Sequence, residues 1–292
     1  MKKTHYMTAI DILTKAKNGG YAIGAFNVAG IETLKAVVGT AKELQSPVIL
    51  EASDGEVKYV GIKELAYLVK IQKEETGLPL LLNLDHGKDF ETCKQAIEAG
   101  FDYIHFDGSN LPVAENIATA KEVVKLAHAH AIPVEGEIDH IQGSSSDRTK
   151  EDPRTIQQGG LYTDPEKAQK FVEQTGVDVF AGFIGNLHGI YAQEIRLDLN
   201  LLAQIEAALP HTFLSLHGGS GVNEEDIKKA VKTNVVKINV NSELRVAYKM
   251  TLQATLNATN EIAIYKLTTQ AIEEVKKVVA RKIRLFGSEG KI

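Results

Sequence analysis

Leu80-Leu81-Leu82-Asn83-Leu84-Asp85-His86-Gly87 is an apolar run that begins after Pro79 and ends in a carboxylate, an imidazole and a glycine. A parallel strand covered on both faces needs such a run, and α/β proteins carry their chemistry at the carboxyl ends of such strands. Seven other segments share the plan: Ala22–Val28, Val48–Ala52, Tyr103–Phe106, Val134–Ile138, Val177–Phe183, Phe213–Leu216 and Val235–Val240. Amphipathic helix candidates separate them at Ile31–Leu44, Ile62–Glu75, Phe90–Ala99, Val113–Ala129, Pro165–Thr175, Leu201–Ala208 and Glu224–Val231, with a long amphipathic tail from Ser242. Eight strands alternating with helices predict a closed (β/α)₈ TIM barrel, built by residues 1–292 as a single domain.

An open doubly wound sheet gives a similar alternation, and the placement of polar residues separates the two. Asn27, Ser53, Asp85-His86, Asp107, Glu137, His188, His217 and Asn239-Asn241 each fall at or just after the end of a different strand. A closed barrel brings all these ends to one face, whereas an open sheet gathers its site at a switch point. Caps support the segmentation: Thr163-Asp164-Pro165-Glu166 offers a polar cap and an early proline, and Asn223-Glu224-Glu225-Asp226 sets carboxylates on a positive helix end. The longest break, Asp139 to Tyr162, contains Gly143-Ser144-Ser145-Ser146 and Gln157-Gln158-Gly159-Gly160, and its length and polarity suggest a hinged lid.

Bulk composition removes several classes of function. A net charge of −5 with interspersed signs leaves no basic stripe for nucleic acid. The single cysteine, Cys93, cannot form an internal disulfide and reads as a packed thiol, which fits a reducing compartment. The start, Met1-Lys2-Lys3-Thr4-His5-Tyr6, carries no signal-type apolar core, and no span is long enough to cross a membrane. The chain reads as cytoplasmic.

Of the nine histidines, His86, His188 and His217 each follow an apolar run and precede a glycine. Three imidazoles meeting at a barrel mouth, with a fourth position open, suit catalytic zinc. His128 and His130, two apart on one helix, face different directions and read as surface or packing residues. His105, between Ile104 and Phe106, reads as pointing toward the helices, while His140 lies in the long loop and His5 and His211 lack a constellation. Asp85 could serve as general acid or base, and Asp107 and Glu137 could ligate a second cation, hold imidazoles, or form a structural ion pair. Two stretches suit a phosphate: Leu216-His217-Gly218-Gly219-Ser220-Gly221, running into a helix, and Asn239-Val240-Asn241-Ser242, opening another.

With these residues assembled, the chain resembles the class II, metal-dependent fructose/tagatose-bisphosphate aldolases. The likeness runs from Ala25-Phe26-Asn27-Val28 through Leu84–Gly87, Asp107-Gly108-Ser109, Val134-Glu135-Gly136-Glu137, Leu187-His188-Gly189 and Leu216–Gly221 to Lys237–Asn241 and Arg284-Leu285-Phe286-Gly287-Ser288. The resemblance implies that His86, His188 and His217 bind zinc and that Asp85 exchanges the C4 hydroxyl proton of a phosphorylated ketose. Asp107 and Glu137 match a second metal position. Gly189, Gly218, Ser220, Asn239 and Ser242 match residues at the dihydroxyacetone-phosphate end, and Asn27, Ser53 and Asn241 match residues near the rest of the substrate. The resemblance also implies a homo-oligomer. A zinc-dependent hydrolase and a non-catalytic sugar-phosphate-binding barrel are the alternatives. One departure concerns the loop after strand five, where the family usually carries Gly-Gly-x-Glu-Asp, whose glutamate is associated with the proton on the enediolate carbon. The corresponding stretch here is Gln142-Gly143-Ser144-Ser145-Ser146-Asp147, with Asp147 the nearest carboxylate to replace it.

Overall fold

The computed structural model describes residues 7–292, so the reading of Met1–Tyr6 and of His5 lies outside the described residues. In chain order the strands are β1 (Ile23–Asn27), β2 (Val48–Ser53), β3 (Leu80–Gly87), β4 (Tyr103–Asp107), β5 (Val134–Glu137), β6 (Gly143–Asp147), β7 (Val179–Ala181), β8 (His188–Ile190), β9 (Phe213–Leu216) and β10 (Val235–Val240). Eight of them, all but β6 and β8, close into a parallel barrel in which β10 pairs with β1. All eight expected strands are present, with ends shifted by up to a few residues; Val177–Phe183 shortens to Val179–Ala181.

The helices are α1 (Ala9–Gly19), α2 (Ile31–Glu43), α3 (Asp54–Val60), α4 (Ile62–Thr76), α5 (Phe90–Ala99), α6 (Val113–His128), α7 (Pro153–Gly159), α8 (Pro165–Thr175), α9 (Leu199–Ala208), α10 (Glu224–Ala230), α11 (Ser242–Ala258) and α12 (Ile264–Phe286). Asp164 caps α8 by accepting from the Glu166 and Lys167 amides, and Asn223 caps α10 through the Glu225 and Asp226 amides. Three features depart from expectation. The tail is two helices rather than one, and α12 packs on this chain's own barrel, burying Ala271, Val275, Val279, Ile283 and Phe286. The 139–162 stretch is no plain loop: it contains α7 and β6, and β6 pairs in parallel with β8. α1, finally, escaped the sequence reading, although Thr8 and Asp11 form a capping box at its start.

Side chains sort by the two-residue period of the strands. Leu80, Leu82 and Leu84 of β3 join the outer core beneath the helices, whereas Leu81 joins an inner cluster with Ile23, Ile49, Tyr103, Val179 and Val236. Ile12, Leu13 and Ala16 of α1 belong to this inner cluster, so α1 closes the amino-terminal end of the barrel. Above it the interior turns polar: Glu51, Asn83, Glu135 and Lys237 are all fully buried. The apolar plug and the polar layer leave only the carboxyl end of the barrel as a working face.

Cys93 of α5 is completely buried, and burial pushes its thiol up to about 12. Only the thiolate reacts, so the folded protein should resist iodoacetamide at pH 8 and label at one site once denatured. Rapid labelling of the native protein, followed by mass spectrometry, would contradict this packing.

Candidate active site and metal centre

β3 delivers two adjacent functional residues to the same cleft, which a regular strand cannot do. Asp85 takes the inward position after Leu81 and Asn83. His86 then adopts φ 54°, a left-handed conformation that costs a non-glycine residue about 1–2 kcal/mol. The turn swings its imidazole back over the barrel, and the His86 amide donates to His105 Nδ1 at 3.2 Å. Gly87 is required next, because a Cβ there would lie 2.7 Å from a Leu84 methyl and 2.9 Å from the Cys93 sulfur. After His217, Gly218 has φ +66°, and a Cβ there would lie 2.3 Å from the Leu187 carbonyl oxygen. The His-Gly repeat thus has a packing cause at these two strand ends.

The three imidazoles gather as the spacing suggested. Ring centroids are 4.9 Å apart for His86 and His217, 5.4 Å for His86 and His188, and 5.9 Å for His188 and His217. The tightest sets of donor atoms, however, are Asp85, His86, His105 and His217, and His86, Asp107 and Glu137. His105 therefore corrects the sequence reading. It points into the barrel, is fully buried, and sits 4.6 Å from the His217 ring and 4.7 Å from the His86 ring. Its alternation with Tyr103 and Asp107, both inward, carried that information; the flanking Ile104 and Phe106 are the residues that face the helices.

Each ligand candidate has a carboxylate or a buried environment behind it. His86 Nδ1 donates to Asp107 Oδ2 at 2.7 Å, and His217 Nε2 donates to Glu135 Oε1 at 2.6 Å. These contacts turn the other ring nitrogens toward the centre, as metal-binding imidazoles need. Burial, assisted by the neighbouring His86, holds His188 well below the usual histidine value. Burial likewise lowers His217 to about 3, against the pull of Glu135. Both rings are neutral and keep a lone pair, the form that coordinates a cation. Burial works to lower His105 as well, but Glu135, Asp85 and Glu137 overcome it and raise it to about 10. His105 Nε2 and Glu137 Oε2, both buried, face each other as an ion pair at 3.5 Å. Two neutral imidazoles, His188 and His217, beside His86 and the carboxylates of Asp107 and Glu137 make a donor set that fits a divalent cation.

Asp85 is 5% exposed, and its carboxyl group stays well below the usual value: burial would raise it, but His86, His105, His217 and Lys237 prevail. Asn27 Nδ2 donates to one of its oxygens and Asn239 Nδ2 to the other, each at 3.2 Å. An ionised carboxylate gripped at both oxygens is ready to accept a proton in fixed geometry. Beneath it lies a layer that sequence reasoning missed. Lys237 Nζ donates to Glu135 Oε2 at 2.8 Å, and Glu135 also accepts from Tyr103 and Ser215, each at 2.6 Å. Its signal was present, since Glu135 and Glu137 lie two apart on β5.

The same cleft, about 280 Å³ in volume, is lined by Asn27, Ser53, Gly189, Gly218, Ser220, Asn239, Asn241 and Ser242, bringing the expected substrate-side residues together. Ser242 starts the 17-residue α11, so the positive end of a helix faces the cleft. Two further lining residues were not singled out from sequence. Arg245 donates to Glu56 Oε1 at 2.7 Å and to the Ser145 carbonyl at 3.1 Å, tying α11 to the 139–162 stretch; His140 is the other. Asp147, the carboxylate expected to replace the absent loop glutamate, is exposed and accepts from the amide and hydroxyl of Thr149 instead of facing the cleft. Asn186, just before Leu187-His188-Gly189, is buried and donates to the His217 carbonyl at 3.2 Å.

A closed parallel barrel with an imidazole and carboxylate cluster at its carboxyl end, beside the start of α11, is the architecture of a barrel enzyme with a candidate metal centre. The family model described as "Fructose-bisphosphate aldolase class-II" matches residues 7–291. The chain is 38% identical to the probable fructose-bisphosphate aldolase of Bacillus subtilis (strain 168), over 95% of this chain and 96% of that protein. It is also 38% identical to the 6-phospho-5-dehydro-2-deoxy-D-gluconate aldolase of Shouchella clausii (strain KSM-K16), over 98% and 96% of the two chains. Among solved structures, the YdjI aldolase of Escherichia coli K12 superposes with a TM-score of 0.83 at 30% identity, covering 98% of this chain and 99% of that one. The chain belongs to the class II fructose-bisphosphate aldolase family. It is an aldolase, and its chemistry is metal-dependent retro-aldol cleavage.

The Glu135–His217 contact generates a prediction. Glu135→Gln should weaken metal binding about 10- to 100-fold, the usual effect of losing a carboxylate behind a histidine ligand. Chelator-competition titration reads this directly, and unchanged affinity would show that Glu135 does not set the His217 ring.

Proposed function

We propose that the enzyme cleaves a ketose bisphosphate, fructose- or tagatose-1,6-bisphosphate or a related phosphorylated ketose, to dihydroxyacetone phosphate and an aldehyde. The observation that carries this reading is Asp85, ionised and held at both oxygens by Asn27 and Asn239, beside the His86, His188 and His217 rings. In this reading those three imidazoles hold zinc, and Asp107 and Glu137 serve a second cation position. Bound there, zinc would act as a Lewis acid on the ketose carbonyl and on the charge of the enediolate.

The chain's own residues supply the rest. Asp85 accepts the C4 hydroxyl proton as the C3–C4 bond breaks, while Asn27 and Asn239 keep the carboxylate aimed. Gly189, Gly218, Ser220 and Ser242 receive the phosphate of the dihydroxyacetone end at the start of α11, where backbone amides and the helix dipole favour an anion. Ser53 and Asn241 contact the remainder of the sugar. Remote phosphate binding fixes the reacting carbons, so its energy lowers the barrier as well as the KM. A Schiff-base route finds no support inside the barrel. Burial would lower Lys237, but Glu135, Glu51 and Asp85 raise it above its ordinary value, leaving an ammonium without a nucleophilic lone pair.

The family and the phosphate-suited cleft favour aldol cleavage over hydrolysis or passive binding. The whole chain acts as one barrel domain in the cytoplasm, with no nucleic acid or membrane partner; no described helix is long and apolar enough to cross a membrane. A homo-oligomer is supported by the turn after α11 and the start of α12, where Ile262, Ile264 and Tyr265 are 89%, 72% and 74% exposed.

Stripping the metal with a chelator should abolish cleavage across a panel of phosphorylated ketoses, and zinc should restore it. Undiminished activity in verified metal-free protein would overturn the assignment. Asp85→Asn should lower kcat by about 10²- to 10⁴-fold with zinc content unchanged, as expected for loss of a general base.

A further inference from the structure

Retro-aldol cleavage moves two protons, and the site described so far accounts for one. Asp85 receives the proton of the C4 hydroxyl. The electron pair of the broken C3–C4 bond remains on the three-carbon fragment as an enediolate, whose C3 must gain a proton before dihydroxyacetone phosphate can leave. The titratable side chains lining the cleft are few. His86 and His188 belong to the metal-binding set. Asp107 is engaged at both oxygens, by His86 at one and by the Ser109 hydroxyl, 2.6 Å away, at the other. Arg245 is bonded to Glu56 and to the Ser145 carbonyl. Two groups remain: Asp85 and His140.

We propose that His140 is the second catalytic acid–base group, carrying the proton to and from C3 of the enediolate. It follows β5 directly, lines the cleft with Asp85 and His86, and is exposed enough to exchange protons with solvent. Its Nδ1 lies 3.4 Å from Ser109 Oγ, a loose contact that positions the ring. Among the described residues Nε2 has no bonded partner, so that nitrogen is free to face a substrate. An imidazole nitrogen within reach of the reacting carbon can serve as a general acid or base.

The step balances without any further reagent. The Nε2–H bond of the His140 imidazolium breaks, its proton forms the new C3–H bond with the enediolate pair, and the ring is left neutral. Solvent then returns a proton to His140 while Asp85 releases the one it took from the C4 hydroxyl. In the synthetic direction neutral His140 removes the C3 proton of dihydroxyacetone phosphate. The role rests on the aldolase reading above and adds the owner of the second proton.

The test uses zinc-loaded full-length protein and dihydroxyacetone phosphate in D₂O. Wild type should exchange one C3 hydrogen, followed by NMR. In His140→Gln and His140→Ala this exchange should fall by about 10²-fold or more, with zinc stoichiometry and the circular dichroism spectrum unchanged. During cleavage both variants should accumulate enediolate, read as faster reduction of added hexacyanoferrate(III) relative to aldehyde release. Free imidazole should restore exchange to His140→Ala. Exchange within twofold of wild type in both variants would overturn the proposal while leaving cleavage intact. Wild-type protein that neither exchanges nor cleaves would overturn the aldolase reading itself, and the proposal with it.

Discussion

Lys237 and Glu135 meet at the centre of the barrel, both fully buried, 2.8 Å apart. An ion pair in a dry interior is tolerated only when its remaining valences are satisfied, and removing one partner typically costs about 3–5 kcal/mol. Here Tyr103, Ser215 and His217 complete Glu135, while Glu51 approaches Lys237 at 3.7 Å. Five different strands, β2, β4, β5, β9 and β10, are thereby drawn to one point. The pair also organises the layer above, because the oxygen that accepts from Ser215 is the one that holds His217 in register. Burial, helped by Asp85 and Glu135, pushes Glu51 up to about 8 against the pull of Lys237.

From that floor the active site rises by the geometry of strand ends. Inward positions follow the two-residue period, so Asn83 leads to Asp85, Tyr103 to His105 and Asp107, and Glu135 to Glu137. The exception is His86, whose left-handed backbone lets a base and a ligand candidate share one strand end. Such a conformation persists because its surroundings fix it: His105 accepts the His86 amide and Asp107 accepts from its ring. Local strain, an ionised carboxylate and a candidate metal ligand thus fall within three consecutive residues. The 139–162 stretch contributes from the other side through the pairing of β6 with β8, which joins it to the strand that carries His188.

Much of this was legible in order along the chain. Apolar runs ending in polar residues gave the barrel strands, and three His-Gly pairs identified imidazoles that do converge. His105 was misread because its apolar neighbours were weighed more heavily than its spacing from Asp107. That Glu135 meets Lys237 was not legible, since composition does not reveal which charges will face each other across a barrel. β6 and β8 were invisible for a different reason: Gly143–Asp147 has neither apolar alternation nor β-branched content, and it forms a strand only because His188–Ile190 offers it a partner.

The sequence by itself determined the alternation of strand and helix, the polar complement at each strand end and the choice of glycine after each key histidine, because periodicity and backbone freedom are local properties. Only the tertiary structure decided that Asp85 is clasped by Asn27 and Asn239, that His217 is held by Glu135, that Asp147 turns away, and that His140 stands at the cleft. Those outcomes depend on residues as far apart as 154 positions being brought within hydrogen-bonding distance by closure of the barrel, and closure is a property of the whole chain.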